Sequence, residues 1–449
     1  MDSSVSSRFS FLRSLKIGSF NFGSALADIL TASVWNRILI SDLGASATPV
    51  SLLLALRYLL APLSVWFGLR SDTRPLLGLH RLPYIWLGRL LMLAAIVLLP
   101  LSTIRLAGNL SDPAGWIAAL AIFVFYGLGT SISGGPFLAL IHDRTPAARR
   151  GVAISIAQIL MLTGFAFSPI VFARALPEYT PDQFQVVTTG TAIVAGAIWL
   201  FAVAGEERRR RAPETETKPE AQPGFRETLR DMWADPRARG FFSFLALGAI
   251  ASFAQDAVLE PFGGDVFDLG VDETTRFNTY FGSGVLLMMI VTSALTRRRR
   301  PEEQSRPAAI GLSVMIVGLA GLALAGLGLA LWLIIPALLV FGLGFGVYTV
   351  GGVSLLMAMT TEKQAGAYLG LWTMTQLVSR GIGIGLGGVV RDVGLALTGS
   401  VSIAYAGVFI LEAIGLAACI WLLSRLDVVG FAREHQAGAT VSQLAVMAD

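Results

Sequence analysis

Twelve stretches of this chain stay apolar over roughly the length a helix needs to cross a bilayer, about 20 residues for a hydrocarbon core about 30 Å thick. They fall at residues 17–42, 48–69, 83–105, 114–140, 151–175, 184–205, 241–266, 275–296, 308–330, 332–358, 367–391 and 400–424. Inside hydrocarbon every backbone N–H and C=O must find its partner within the protein, which leaves helices or closed barrels. Barrel strands read as short alternating segments, and these long unbroken runs do not alternate. The expectation is an all-α membrane protein with twelve transmembrane helices. Composition agrees, because only 14% of the 449 residues are charged, where a soluble domain carries about a quarter.

Charge placement sets the orientation. Of the 34 Lys and Arg, Arg37, Arg57, Arg89 and Arg380 lie inside the runs, while Arg105, Arg174, Arg276 and Arg391 fall in one alternating set of loops. The remaining 26 gather at the opposite ends, together with both termini. Asp42, Asp112, Glu178, Asp182, Asp265, Asp268, Asp272, Glu273 and Asp392 sit on the arginine-poor side. By the positive-inside rule both termini are expected in the cytoplasm. The same rule accounts for the net charge of +4 without nucleic acid as a partner. The first run carries Asp28 and Arg37 and lacks a small-residue cleavage site, so it is expected to be a retained helix and not a signal peptide.

One long hydrophilic stretch, 206–240, divides the chain into an N-terminal segment 1–16, a six-helix bundle 17–205, a linker, a second bundle 241–425 and a tail 426–449. Glu206 to Gln222 is charged and contains Pro, a composition that favours disorder, whereas Phe225, Leu229, Met232 and Trp233 recur at helical spacing and predict a short interfacial helix. The bundles read as copies. Tyr126-Gly127-Leu128-Gly129 followed by Gly134-Gly135 returns as Phe341-Gly342-Leu343-Gly344 followed by Gly351-Gly352, and Arg149-Arg150-Gly151 with Gln158 corresponds to Lys363 through Gly370 with Gln376. Two parallel six-helix repeats in one orientation are the arrangement of a major-facilitator fold.

Ionisable groups in the hydrocarbon are costly, so each needs a partner, a wet cavity or a function. The runs contain Asp28, Arg37, Arg57, Arg89, Asp256, Glu260, Arg380 and Glu412. Arg89, near a helix end, is expected to snorkel to the cytoplasmic surface, and Arg380 with Glu412 is one candidate interhelical pair. A polar cluster is expected from Asp28, Asn36 and Arg37 on helix one and Gln255, Asp256 and Glu260 on helix seven. Asp256 and Glu260 are one turn apart and share a face of a continuous helix, so a proton or an arginine has to relieve their repulsion. Two readings stay open: a relay or gate where the halves meet, and a charge network that holds the two helices in register.

Other chemistries are excluded. A single cysteine, Cys419, rules out a disulfide framework and a Cys-based metal cluster, and three histidines rule out a His-rich site. The glycine-rich helices four and ten lack the Lys-Ser/Thr and the preceding strand of a phosphate loop, and read as close helix packing. His80 and His142 fall in loops and His435 in the tail. A magnesium-centred pigment bound at depth would therefore take Asn, Gln, a carboxylate, a carbonyl or water as its axial ligand. Gln158 and Gln376 are the candidates for such a ligand, and durable pigment storage is not expected.

Gly68-Leu69-Arg70-Ser71-Asp72-Thr73-Arg74 is a loose version of the loop motif between helices two and three of major-facilitator proteins. It makes Gly68, Arg70, Asp72 and Arg74 the expected cytoplasmic gate. Together with Trp35-Asn36-Arg37-Ile38, His80-Arg81-Leu82-Pro83-Tyr84-Ile85-Trp86 and the string Gln255-Asp256-Ala257-Val258-Leu259-Glu260-Pro261-Phe262-Gly263-Gly264, the chain resembles the PucC/LhaA family of photosynthetic bacteria from about Ile17 to Leu426. The resemblance implies a twelve-helix facilitator fold in the bacterial inner membrane. It also implies a role in assembling light-harvesting complexes, with transient handling of bacteriochlorophyll and association with small antenna polypeptides.

The expected function is therefore an assembly factor that helps bacteriochlorophyll reach nascent antenna subunits, without covalent catalysis. Two alternatives stay open. One is a proton-coupled secondary transporter of a pigment precursor or other small amphiphile, with Asp28 or Asp256 carrying the proton. The other is a structural subunit beside the reaction-centre antenna.

Overall fold

A computed structural model describes residues 10–76, 78–146, 149–207, 233–234, 236–296, 305–358 and 365–426. Phe225, Leu229 and Met232 of the expected interfacial helix, the arginine runs at 208–211 and 297–300, and the tail beyond 426 lie outside the described residues.

The described chain is a succession of helices. α1 (Phe11–Ile29) continues through a π turn at Leu30–Val34, a short helical link Trp35–Arg37 and a second π turn at Ile38–Asp42. α2 (Ala47–Leu59) and α3 (Pro62–Thr73) form one span broken ahead of Pro62. Then come α4 (Leu82–Gly108), α5 (Pro113–Arg144), α6 (Arg150–Ala175) and α7 (Pro181–Val203). α8 (Pro236–Phe253) ends in a 3-10 turn at Ala254–Ala257, followed by α9 (Leu259–Phe267) and α10 (Val271–Thr275). α11 (Phe277–Thr296), α12 (Ser305–Gly328), α13 (Ile334–Ala358), α14 (Ala365–Thr398) and α15 (Val401–Arg425) complete the order.

Eleven spans among the described residues are long and apolar enough to cross a membrane, so the chain is a multi-pass membrane protein. The remaining expected run, 17–42, is filled by α1 and its π-turn continuation. α1 starts earlier than the apolar run because the Ser10 hydroxyl accepts the Arg13 N–H at 3.3 Å and caps the helix.

Packing gathers the chain into two compact units. The first holds residues up to 215 with 256–279 and 384–393, and the second holds 216–255, 280–383 and 394–449. These units follow packing; the division into six-helix repeats at 17–205 and 241–425 stays a proposal. In the first unit Gly129 on α5 presses on α4, where an added Cβ would come within 2.7 Å of Met92 Cγ. In the second, Gly344 on α13 presses on α12, and an added Cβ would come within 2.8 Å of Met315 Cγ and 2.7 Å of the Gly311 carbonyl. Gly88 and Met92 are spaced as Gly311 and Met315 are, so the two units reuse one helix-pair contact built on small residues.

Candidate functional site

The site grows from a proline. Pro261 has no N–H, so the carbonyl of Ala257, four residues earlier, loses the donor a helix would give it. The backbone answers with a 3-10 turn, and Asn36 supplies the missing donor, its Nδ2 reaching the Ala257 carbonyl at 2.8 Å. Asn36 is 0% exposed. Its neighbour Arg37 lies against Gly264 on α9, donates from Nη2 to the Leu269 carbonyl at 2.7 Å and pairs through Nη1 with Asp42 at 2.5 Å. The Leu269 carbonyl lies just past the end of α9, where Asp268 adopts a left-handed conformation at φ 56°.

Glu260 lies beside this pair, on the first turn of α9. One carboxylate oxygen accepts from Asn278 Nδ2, which also reaches Ser33 Oγ at 3.3 Å, while the other, Oε2, is buried without a hydrogen-bond partner among the described residues. A buried carboxyl with one unsatisfied oxygen is a place where a proton or a ligand's donor can sit. Farther along, Arg391 Nη2 pairs with Asp265 at 2.8 Å and its Nη1 with Asp392 at 3.0 Å. Asp392 also accepts the N–H groups of Ala47 and Thr48 at 3.1 and 2.7 Å, capping α2. All of these residues belong to the first unit.

The expected six-residue cluster is therefore divided. Asn36, Arg37 and Glu260 meet. Asp28 does not join them, because eight residues of helix separate it from Asn36, about 12 Å of rise. Its carboxylate instead accepts from Arg57 Nη1 at 2.7 Å and from the Tyr126 hydroxyl at 2.5 Å. Gln255 belongs to the second unit, where its N–H donates to Glu412 Oε1 at 2.6 Å. Asp256 sits half-buried in the 3-10 turn. The expected shared face with Glu260 presumes a continuous helix, which the turn interrupts, yet the charge of Asp256 still acts on Glu260, as does that of Arg37. Arg380 stacks its guanidinium over Phe253 at 4.2 Å.

Arg89 corrects the snorkelling expectation. It is 4% exposed, held between the rings of Phe20 at 4.0 Å and Trp199 at 4.5 Å. Cation–π attraction from two other helices, with Met92 Sδ 3.1 Å from Nη1, outcompetes the reach to water.

At the end carrying the basic loops, Asp72 pairs with Arg81, a residue outside the expected gate of Gly68, Arg70, Asp72 and Arg74. Arg81 also meets Ser71 Oγ at 2.9 Å and Asp143 at 3.2 Å. Glu207 accepts the N–H groups of His80, Arg81 and Leu82 at 2.6, 3.0 and 2.7 Å, closing the start of α4. Arg70 stacks on Trp66, Arg74 is exposed, and Gly68 lets Gly135 approach. Gln158 is exposed on α6 and Gln376 half-buried on α14, each in its own unit. Among the described residues no group of three or more His, Cys, Asp or Glu is placed to hold a metal ion.

Asp42, Asp265, Arg391 and Asp392, which charge placement alone assigns to loops, also belong to the site. The excess of acids over bases on that side was the available signal.

This helix order is that of the major-facilitator fold. The chain aligns over 92% of its length with the nucleoside transporter NupG, covering 99% of that chain at a TM-score of 0.68 and 14% identity. It aligns likewise with a D-xylose–proton symporter, over 92% and 97% of the two chains at a TM-score of 0.63 and 15% identity. Within that fold the chain belongs to the PUCC protein family, whose model matches residues 34–431. It is 28% identical to "Protein PucC" of Rhodobacter capsulatus over 91% of this chain and 90% of that one. It is 31% identical to the "Bacteriochlorophyll synthase 44.5 kDa chain" of the same species, over 79% and 81%.

Proposed function

We propose that this protein is an inner-membrane assembly factor for bacterial light-harvesting antenna complexes, which assists bacteriochlorophyll delivery to antenna polypeptides without covalent catalysis. Family membership across residues 34–431 carries the reading, and the bacteriochlorophyll in a relative's name supports a place in photosynthesis. The paired charges support it too. Arg37 is held by Asp42 and a carbonyl, and Arg391 by Asp265 and Asp392, which suits a clamp that fixes helices around a lipid-facing surface. In this reading both termini are cytoplasmic, Asn36, Arg37, Asp256 and Glu260 form the functional polar cluster, and Gly68, Asp72 and Arg74 belong to the gate. Gln158 and Gln376 serve as transient pigment or polar contacts. The test is affinity purification from solubilised photosynthetic membranes. Antenna polypeptides and a bacteriochlorophyll absorption band should co-purify in sub-stoichiometric amount; recovery of neither would remove the proposal.

The fold favours a second reading, a proton-coupled transporter of a pigment precursor or other small amphiphile. Asp28, bonded to both Arg57 and Tyr126 within the hydrocarbon span, supports it. Proteoliposome flux that follows a pH gradient and is lost in Asp28→Asn or Asp256→Asn would select this reading; gradient-independent behaviour would reject it.

A further inference from the structure

The ends of α1 and α7 enclose a groove of about 770 Å³ lined by Leu12, Arg13, Leu15, Lys16, Ser19, Phe201 and Glu206. That volume lies in the range that holds a small-molecule ligand. The walls are apolar and open: Leu12 is 76% exposed and Phe201 60%. The polar groups are layered. Glu206 lies at the floor with 5% of its side chain exposed, while Arg13 and Lys16 stand nearer the mouth at 38% and 28%.

Arg13 reaches Glu206 through Nε at 2.7 Å, leaving its terminal nitrogens without a hydrogen bond among the described residues. Lys16 divides its ammonium between Glu206 at 2.9 Å and the Ala204 carbonyl at 2.7 Å. Two cations against one carboxylate leave one positive charge. Anything arriving from outside meets the guanidinium before it meets the carboxylate. α1 begins at Phe11 and α7 ends at Val203, so the groove opens where the hydrocarbon meets the headgroup layer.

We infer that this groove holds an anionic phospholipid. The phosphate would lie against the terminal nitrogens of Arg13 in a charge-assisted contact, and the acyl chains would run along Leu12, Leu15 and Phe201. A soluble phosphate would leave those apolar walls bare, and a zwitterionic headgroup would bring its own cation against Arg13. Basic residues at a membrane surface select anionic lipid in this way.

The test uses the full chain in nanodiscs of equal phosphatidylglycerol and phosphatidylcholine, with retained lipid counted by native mass spectrometry after mild delipidation. Phosphatidylglycerol should be retained preferentially, and Arg13→Gln with Lys16→Gln should lower its retention about ten-fold. Glu206→Gln, which removes the competing charge, should keep or raise it. Equal retention of the two lipids by the parent chain would overturn the inference, and this arm needs no variant to fold. Loss of retention in Glu206→Gln alone would also overturn it, since the three residues would then be only a clip between helices. The linker piece 212–222 is the rival occupant, because Glu214, Glu216 and Glu220 against Lys218 give that piece a negative charge. If deleting 212–222 raised lipid retention while the double variant changed nothing, the groove would belong to the linker.

Discussion

Arg37 and Gly264 share one space: a Cβ added at Gly264 would come to 2.6 Å from Arg37 Nε. The glycine is what lets the guanidinium lie along α9 and reach both the Leu269 carbonyl and Asp42. Gly264→Ala should therefore destabilise the fold by about 1–3 kcal/mol, the usual cost of overpacking. Thermal unfolding in detergent checks it. In an Arg37→Ala background the same change should cost much less, and strictly additive losses would contradict the shared space.

Asn36 and Pro261 should be coupled through a carbonyl that neither owns. Asn36→Leu leaves the buried Ala257 oxygen without a donor and should cost about 1–3 kcal/mol. Pro261→Ala restores an N–H at the position that can reach that oxygen, so it should soften the Asn36→Leu loss. A double variant no more stable than Asn36→Leu alone would show that the proline does not set the demand.

Much of the architecture was legible because bilayer thickness fixes the length of a run, and the glycine repeats marked a duplicated helix contact. Arg37 was legible as a buried charge in need of a partner, but its partners were not. Asp42 looked like a loop residue, and the Leu269 carbonyl is turned toward Arg37 by backbone geometry at the end of α9. The Asn36 contact was readable in principle, since a proline removes a known N–H. Arg89 was misread because the aromatic faces that hold it, Phe20 and Trp199, lie on helices far away in sequence.

The Glu206 cluster gives stability a sign in acid. Burial opposes the carboxylate, but hydrogen bonds from Lys16 and Arg13 outweigh that effect and hold the group below its ordinary range. A carboxyl depressed in the folded state contributes stability that is complete above its unfolded value and is lost as pH falls through the lower, folded one. Melting temperature should therefore drop on acidification below the ordinary glutamate range, with a shallower drop in Glu206→Gln. Parallel profiles for the two proteins would rule out this contribution.

Antenna absorbance in a strain lacking this gene, measured beside its total bacteriochlorophyll, tests the assembly role most directly. Pigment synthesis should continue while the light-harvesting bands fall and return on complementation. Light-harvesting bands of normal height in the deletion strain would contradict it.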